Sequence, residues 1–292
     1  MTCAEATRRF LDYLRFERNA SPHTLRNYEG DLRQFAAFLH HQPDGAPPME
    51  QVDHLHIRSY LGEFYTRHGQ NSSAARRLSV LRSLFRFLAK EGVVTANPAK
   101  LVTSPKLPKK LPEVPTADEL ERFFNALPPD PETLPVRDRA LFELLYGCGL
   151  RAAELVGLNL ADVGEDVLRV RGKGSKERLV PYGSKARLAL AAYLHARASD
   201  TTAIFLNHRG GRLTTRSVGR IVKKYTTLFA ENTGLHPHSF RHAYATHMLD
   251  SGADLRAIQE LLGHARLSTT QKYTQVSIQK LMDVYSKSHP KA

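Results

Sequence analysis

Between Asn97 and Pro115 the prolines Pro98, Pro105, Pro108, Pro112 and Pro115 alternate with Lys100, Lys106, Lys109 and Lys110. Each proline fixes φ and removes an amide donor, so no helix runs through the stretch. At this density the chain is an extended, semi-rigid connector. It therefore cannot build one continuous core across the segment, and two bodies are expected: residues 1–103, a connector over 104–116, and residues 117–292. The 292 residues are enough for each body to bury its own core. The connector's lysines, Lys109 and Lys110 among them, suit a strap lying on a nucleic-acid backbone, and equally suit a solvated basic linker.

The first body reads as all helical. Ser21-Pro22 pairs a cap with a proline at the first helical position, and Leu25, Tyr28, Leu32, Phe35 and Leu39 follow at steps of three and four. A weaker segment runs from Val52 to Tyr65. Another begins near Asn71, carries Leu78, Leu81, Leu84, Phe85 and Leu88, and stops at Gly92. Arg76, Arg77, Arg82 and Arg86 lie on this last helix, either as DNA-phosphate contacts or as a solvated face. The second body is mixed. Thr116-Ala117-Asp118-Glu119 is a capping box. A helix over Val136–Tyr146 ends at Gly147-Cys148-Gly149, and a short helix follows from Arg151. Strands at 167–171 and 178–181 flank the turn Gly172-Lys173-Gly174-Ser175-Lys176 as a hairpin. A helix around 185–197, a short strand at 203–206 and four or five helices complete the chain.

Lysine and arginine number 42 against 29 acidic residues, a formal charge of +13. Such an imbalance concentrates a polyanion at the surface, and nucleic acid is the first candidate. A membrane is the rival polyanion, but no apolar run of about 18 residues exists and no signal-like segment follows Met1. No membrane insertion and a cytoplasmic location are expected. Cys3 and Cys148 are too few for a disulfide framework or a cysteine-based zinc site.

Four motifs follow in order: Gly149-Leu150-Arg151-Ala152-Ala153-Glu154-Leu155, Gly172-Lys173-Gly174-Ser175-Lys176-Glu177-Arg178, His238-Ser239-Phe240-Arg241-His242, and Leu262-Gly263-His264 with Tyr273 nine residues after the histidine. On these motifs the chain resembles the tyrosine recombinases of the phage-integrase family, and within them the Xer recombinases, over nearly its full length. Phe240 stands where leucine is common in the family. The resemblance implies a mainly α fold with a small β-sheet: an all-helical, SAM-like core-binding domain, then a mixed α/β catalytic domain, the two clamping double-stranded DNA. It implies site-specific recombination through a 3′-phosphotyrosyl intermediate at Tyr273, with His238 as base, His264 on a phosphoryl oxygen and Lys173 as general acid. No cofactor, metal or ATP is implied. Partners would be a recombination site on DNA and a tetramer, either of identical chains or with a XerD-like recombinase, with activation by a septal DNA translocase left open. The terminal helix, with Leu281, Met282 and Tyr285, would pack into a neighbouring subunit, the alternative being that it closes its own domain.

The chemistry accounts for these residue types. A phosphodiester gains a second negative charge as an oxygen nucleophile adds, so fixed cationic donors stabilise the transition state more than the ground state. Arg151 and Arg241 supply permanently charged forks that match two phosphate oxygens. Arg151 and Glu154 could instead be an ordinary ion pair. A phenol has an ordinary pKa of about 10 and needs a base or a positive field to attack at neutral pH. Lys176 and Arg178, beside Lys173, suit contact with the DNA backbone.

Three other readings compete. A zinc enzyme would use His236, His238, His242 and His247, but Ser239 stands where an H-E-x-x-H site needs glutamate. A non-catalytic DNA-binding protein has no need of Tyr273. A type IB topoisomerase shares the strand-cleavage chemistry, but the compact helical first domain favours the recombinase.

Overall fold

The computed structural model describes residues 1–42, 45–68, 71–106, 114–127, 133–172, 176–197, 199–228, 235–263 and 275–291. It divides into two compact units, Met1–Lys110 and Leu111–Ala292.

In the first unit, α1 (Cys3–Phe16), α2 (Pro22–His40), α3 (His54–His68) and α4 (Asn71–Lys90) surround one apolar core. Ser21 Oγ accepts from the Thr24 amide and Pro22 opens α2, as their order in the sequence predicts. From the stripe expected on α2, Leu32, Phe35 and Leu39 are fully buried, and they meet Leu78, Leu81, Leu84, Phe85 and Leu88 of α4. Beyond α4, Gly92 takes a φ of 71° and the Val93 amide returns to the Leu88 carbonyl, which ends the helix.

The second unit begins with α5 (Ala117–Ala126), opened by the reciprocal pair of Thr116 and Glu119. Next comes α6 (Thr133–Gly147), whose Ala140, Leu141, Phe142, Leu144, Leu145 and Tyr146 are all buried, so it forms the axis of the core. After α7 (Ala152–Gly157), strands β1 (Val167–Arg171) and β2 (Glu177–Pro181) pair antiparallel, with Arg171 opposite Glu177 and Val167 opposite Pro181. Then follow α8 (Ser184–Ala196), α9 (Thr215–Leu228), α10 (Pro237–Asp250), α11 (Leu255–Leu262) and α12 (Gln275–Ser288).

One sequence expectation changes. Residues 203–206 are not a named strand. Only Ala203 and Leu206 form isolated bridges, to Asn159 and Arg212. Side chains share in satisfying their backbone: the Arg197 guanidinium donates to the carbonyls of Ala203 and Ile204, and the Leu206 amide donates to the Tyr193 hydroxyl at 3.1 Å, while the Ile204 amide and the Phe205 carbonyl pair with the backbone of Leu158 and Leu213. Helix α12 lies on its own unit, the arrangement in which the terminal helix closes its own domain. Leu281 and Tyr285 join the core, and Tyr285 Oη accepts from the Gly183 amide at 3.1 Å. The tail beyond it is buried too, with Lys291 Nζ 2.6 Å from Glu143 Oε1 and the His289 ring stacked on Tyr285.

Candidate active site

The Gly147-Cys148-Gly149 turn after α6 sets the first arginine. Gly149 has a φ of 58°, and a Cβ there would stand 2.8 Å from the Tyr244 ring and 2.9 Å from Leu262, so only glycine fits. The chain then enters α7 with Arg151 as its N-cap residue. The Arg151 amide donates to Glu154 Oε2 at 2.9 Å, and its Nη1 donates to Glu154 Oε1 at 2.7 Å. The pair foreseen between these residues therefore forms, but the carboxylate is buried while the arginine side chain keeps 37% of its exposure.

Arg241, on α10, is buried. Its Nη1 donates to the Gly149 carbonyl at 2.7 Å and its Nη2 to the Leu262 carbonyl at 2.5 Å. Arg151 Nη1 reaches the same Leu262 oxygen at 3.5 Å. Two guanidinium groups from distant elements thus converge on the last residue of α11, immediately before Gly263, which closes that helix at a φ of 66°. Glu154 also receives a bidentate pair from Arg178 of β2, at 2.8 and 3.0 Å, and lies 3.8 Å from Arg241. Three guanidiniums around one carboxylate leave two positive charges uncompensated.

The electrostatics follow from that arrangement. Burial alone would raise the Glu154 pKa, but the hydrogen bonds and charge of Arg178, with those of Arg151, outweigh it and hold the group at about 2. Burial, and then the neighbouring charge of Arg151, lower Arg241 to about 10, so it stays charged at neutral pH. Held dipoles and charges of this kind form a preorganised anion site, in which an added negative charge is worth more than in water.

His238 is exposed in the first turn of α10, three residues before Arg241 and so on a neighbouring part of the same helix face. Lys173, His264 and Tyr273 lie outside the described residues, as do Lys109 and Lys110. In sequence Lys173 follows Gly172 directly, and His264 follows Gly263.

The candidate DNA-contacting arginines separate into distinct kinds. Arg77 is buried, donates to Tyr60 Oη at 2.8 Å and stacks on the Phe64 ring, so it is not available to a phosphate. Arg178 is likewise buried and committed to Glu154, which corrects its expected contact with the DNA backbone. Arg76 is half exposed but chelates Asp31. Arg82 holds the chain that follows α4, through the Ala99 and Val102 carbonyls and Ser104 Oγ. Arg86 and Lys176 are exposed.

The four histidines of the zinc reading do not share a face. His236 caps α10 by accepting from the Ser239 amide, His238 and His242 are exposed, and His247 is buried against Tyr146 Oη at 2.9 Å. Among the described residues no group of three or more histidine, cysteine, aspartate or glutamate side chains is placed to hold a metal.

Motif reading assigns Glu154 no role beyond a pair with Arg151. Its R-x-x-E spacing, which lets the Glu154 carboxylate accept from the Arg151 amide at the start of a short helix, was the available signal.

Comparison with known proteins adds to the geometry. Residues 113–280 match the family model described as phage integrase family, and residues 7–92 match its N-terminal SAM-like domain. The chain is 48% identical to the tyrosine recombinase XerC of Pelobacter propionicus, over 99% of this chain and 96% of that one. It is 45% identical to the XerC of Myxococcus xanthus, over 97% of each. Among solved structures, the Tn1549 transposon integrase in complex with circular intermediate DNA superposes with a TM-score of 0.70 at 20% identity, over 97% of this chain and 99% of that one. The XerH site-specific recombinase bound to a palindromic difH substrate gives 0.70 at 22% identity, over 92% and 81%. At these identities the two structures establish a shared fold.

Proposed function

Since this chain belongs to the phage integrase family, and is a tyrosine-type site-specific recombinase, we propose that it binds double-stranded DNA and cleaves and rejoins it through Tyr273, resolving chromosome or plasmid dimers. The Tyr273 hydroxyl attacks the scissile phosphorus and gives its proton to His238. The bond from phosphorus to the 5′ oxygen breaks, Lys173 protonates that oxygen, and a 3′-phosphotyrosyl ester remains. Arg151 and Arg241, with His264, hold the non-bridging oxygens as their charge rises. Reversal by a 5′ hydroxyl from a partner duplex rejoins the strand. The ester conserves the phosphodiester's free energy, so the cycle needs neither ATP nor a metal. Strand exchange takes place in a tetramer, of identical chains or with a XerD-like recombinase.

The observation that supports this reading is the meeting of Arg151 and Arg241 at the Leu262 carbonyl, inside a cluster with two surplus positive charges. That surplus matches the two negative charges of a pentacoordinate phosphorane. Loss of either arginine should slow cleavage by about 10²–10³-fold.

The test is a suicide substrate with a nick beside the scissile phosphate. The wild-type chain should form a covalent adduct mapping to Tyr273. Tyr273→Phe should bind the same DNA and form none. An adduct of undiminished yield from that variant would refute the assignment.

A further inference from the structure

Arg178 is buried away from the outer surface, yet it reaches Glu154, the end of α11 and the base of the hairpin turn. Its side chain keeps only 7% of its exposure. Nη1 and Nη2 span the two oxygens of Glu154 at 2.8 and 3.0 Å, and Nε donates to the Leu261 carbonyl at 3.0 Å. A Cβ on Gly263 would stand 3.0 Å from Arg178 Cδ, and one on Gly172 would stand 3.9 Å from its Nη1. One side chain on β2 therefore ties together the carboxylate of α7, the end of α11 and the base of the hairpin turn.

The geometry points to Arg178 as a positioning residue that sets Arg151, and the Leu262 carbonyl beside Arg241, in register for the phosphate. A carboxylate held by a bidentate fork cannot rotate about its last bond. Glu154 is so held, and its Oε1 and Oε2 are the acceptors for Arg151 Nη1 and for the Arg151 amide. Without Arg178 the carboxylate keeps only its bonds to Arg151, so carboxylate and the partly exposed guanidinium can shift together. The Nε bond to Leu261 adds a second constraint, one residue from the carbonyl on which Arg151 and Arg241 converge. Lysine keeps the charge but offers a point instead of a fork, so it cannot make all three bonds in this geometry.

This inference rests on the reading of Arg151 and Arg241 as a clamp on the scissile phosphate, and one pair of substrates tests both. The first carries an ordinary scissile phosphodiester. The second carries a methylphosphonate there, neutral in the ground state, so that less charge has to be clamped as the P–O5′ bond breaks and the phosphotyrosyl bond forms. Arg178→Met should retain site affinity within about twofold and cleave the phosphodiester about 10²-fold more slowly, the scale expected for a catalytic group displaced by about 1 Å. On the methylphosphonate the deficit relative to wild type should shrink at least about tenfold. Arg178→Lys should show the same substrate-dependent loss, and provides the answer if the methionine variant is too unstable to purify. Equal deficits on both substrates mean a merely structural role and overturn the inference. A lysine variant indistinguishable from wild type overturns it as well. So does a weaker affinity with a salt slope reduced by about one, the mark of a lost phosphate contact. Arg151→Ala is the control: if it shows no relief on the methylphosphonate, the clamp reading falls and this inference with it. Relief for Arg151→Ala without relief for Arg178→Met overturns this inference alone.

Discussion

Replacing Glu154 by glutamine keeps the shape of the side chain and removes the single anion on which Arg151, Arg178 and Arg241 converge. Arg178 and Arg241 are buried, so water cannot screen the charges left behind. Removing one partner from a buried pair costs about 3–5 kcal/mol. The pKa of Glu154 leads to a similar figure. Its fall from 4.5 to about 2 corresponds to roughly 3 kcal/mol of preference for the ionised form in the folded state. For a unit of this size each kcal/mol moves the midpoint by about 2–4 °C, so Glu154→Gln should melt roughly 6–20 °C below wild type at pH 7. The sign with pH is fixed. The folded pKa is depressed, so the contribution is fully present above about 4.5 and is lost as pH falls toward 2. Thermal unfolding followed by circular dichroism should therefore show a constant gap from pH 6 to 8, narrowing below pH 4.5 as the wild type weakens and the variant does not. A midpoint within 2 °C of wild type at pH 7, or a gap that widens in acid, would refute the view that this carboxylate neutralises the cluster.

Arg82 and Arg86 should behave as opposites although both lie on α4. Arg82→Ala loses bonds to Ala99, Val102 and Ser104 and should destabilise the first unit by about 1–3 kcal/mol in denaturant titration with little effect on DNA affinity. Arg86→Ala should leave stability intact and reduce the salt slope of binding by about one; unchanged binding would remove Arg86 from the interface. His289 offers a test in acid. Burial, with the charge of Lys291 and the proximity of His247, lowers its pKa to about 3. The neutral ring's docking is thus fully favourable above about 6.5 and weakens as pH falls from there toward 3, by about 2 kcal/mol at pH 5. Hydrogen exchange over α12 should accelerate between pH 7 and 5, once corrected for intrinsic rates, and His289→Phe should flatten that change. An equal pH response in the variant would rule out His289 as its source.

What was legible in the chain was local. The Ser21-Pro22 start, the Thr116–Glu119 box, the stop at Gly92 and the β1–β2 hairpin all arise from interactions within a few residues, and the periodic apolar stripes of α2 and α4 mark the face each helix buries. The motifs with Arg151 and Arg241 were visible as residue types in order, though not as two groups meeting at one carbonyl. A basic side chain carries no local mark of its fate: Arg86 and Arg77 lie nine residues apart on one helix, yet one faces solvent and the other stacks beneath Phe64. Arg178 read as a DNA contact because its partner Glu154 is 24 residues away. The apolar run at 203–206 read as a strand because nothing in it shows that Arg197 and Tyr193 help satisfy its backbone. Sequence alone determined which residues could be helical, apolar or cationic, since those are properties of short stretches. Only the tertiary fold decided which cations are neutralised inside and which remain free to meet a phosphate, because that depends on carboxylates and carbonyls brought together from distant parts of the chain.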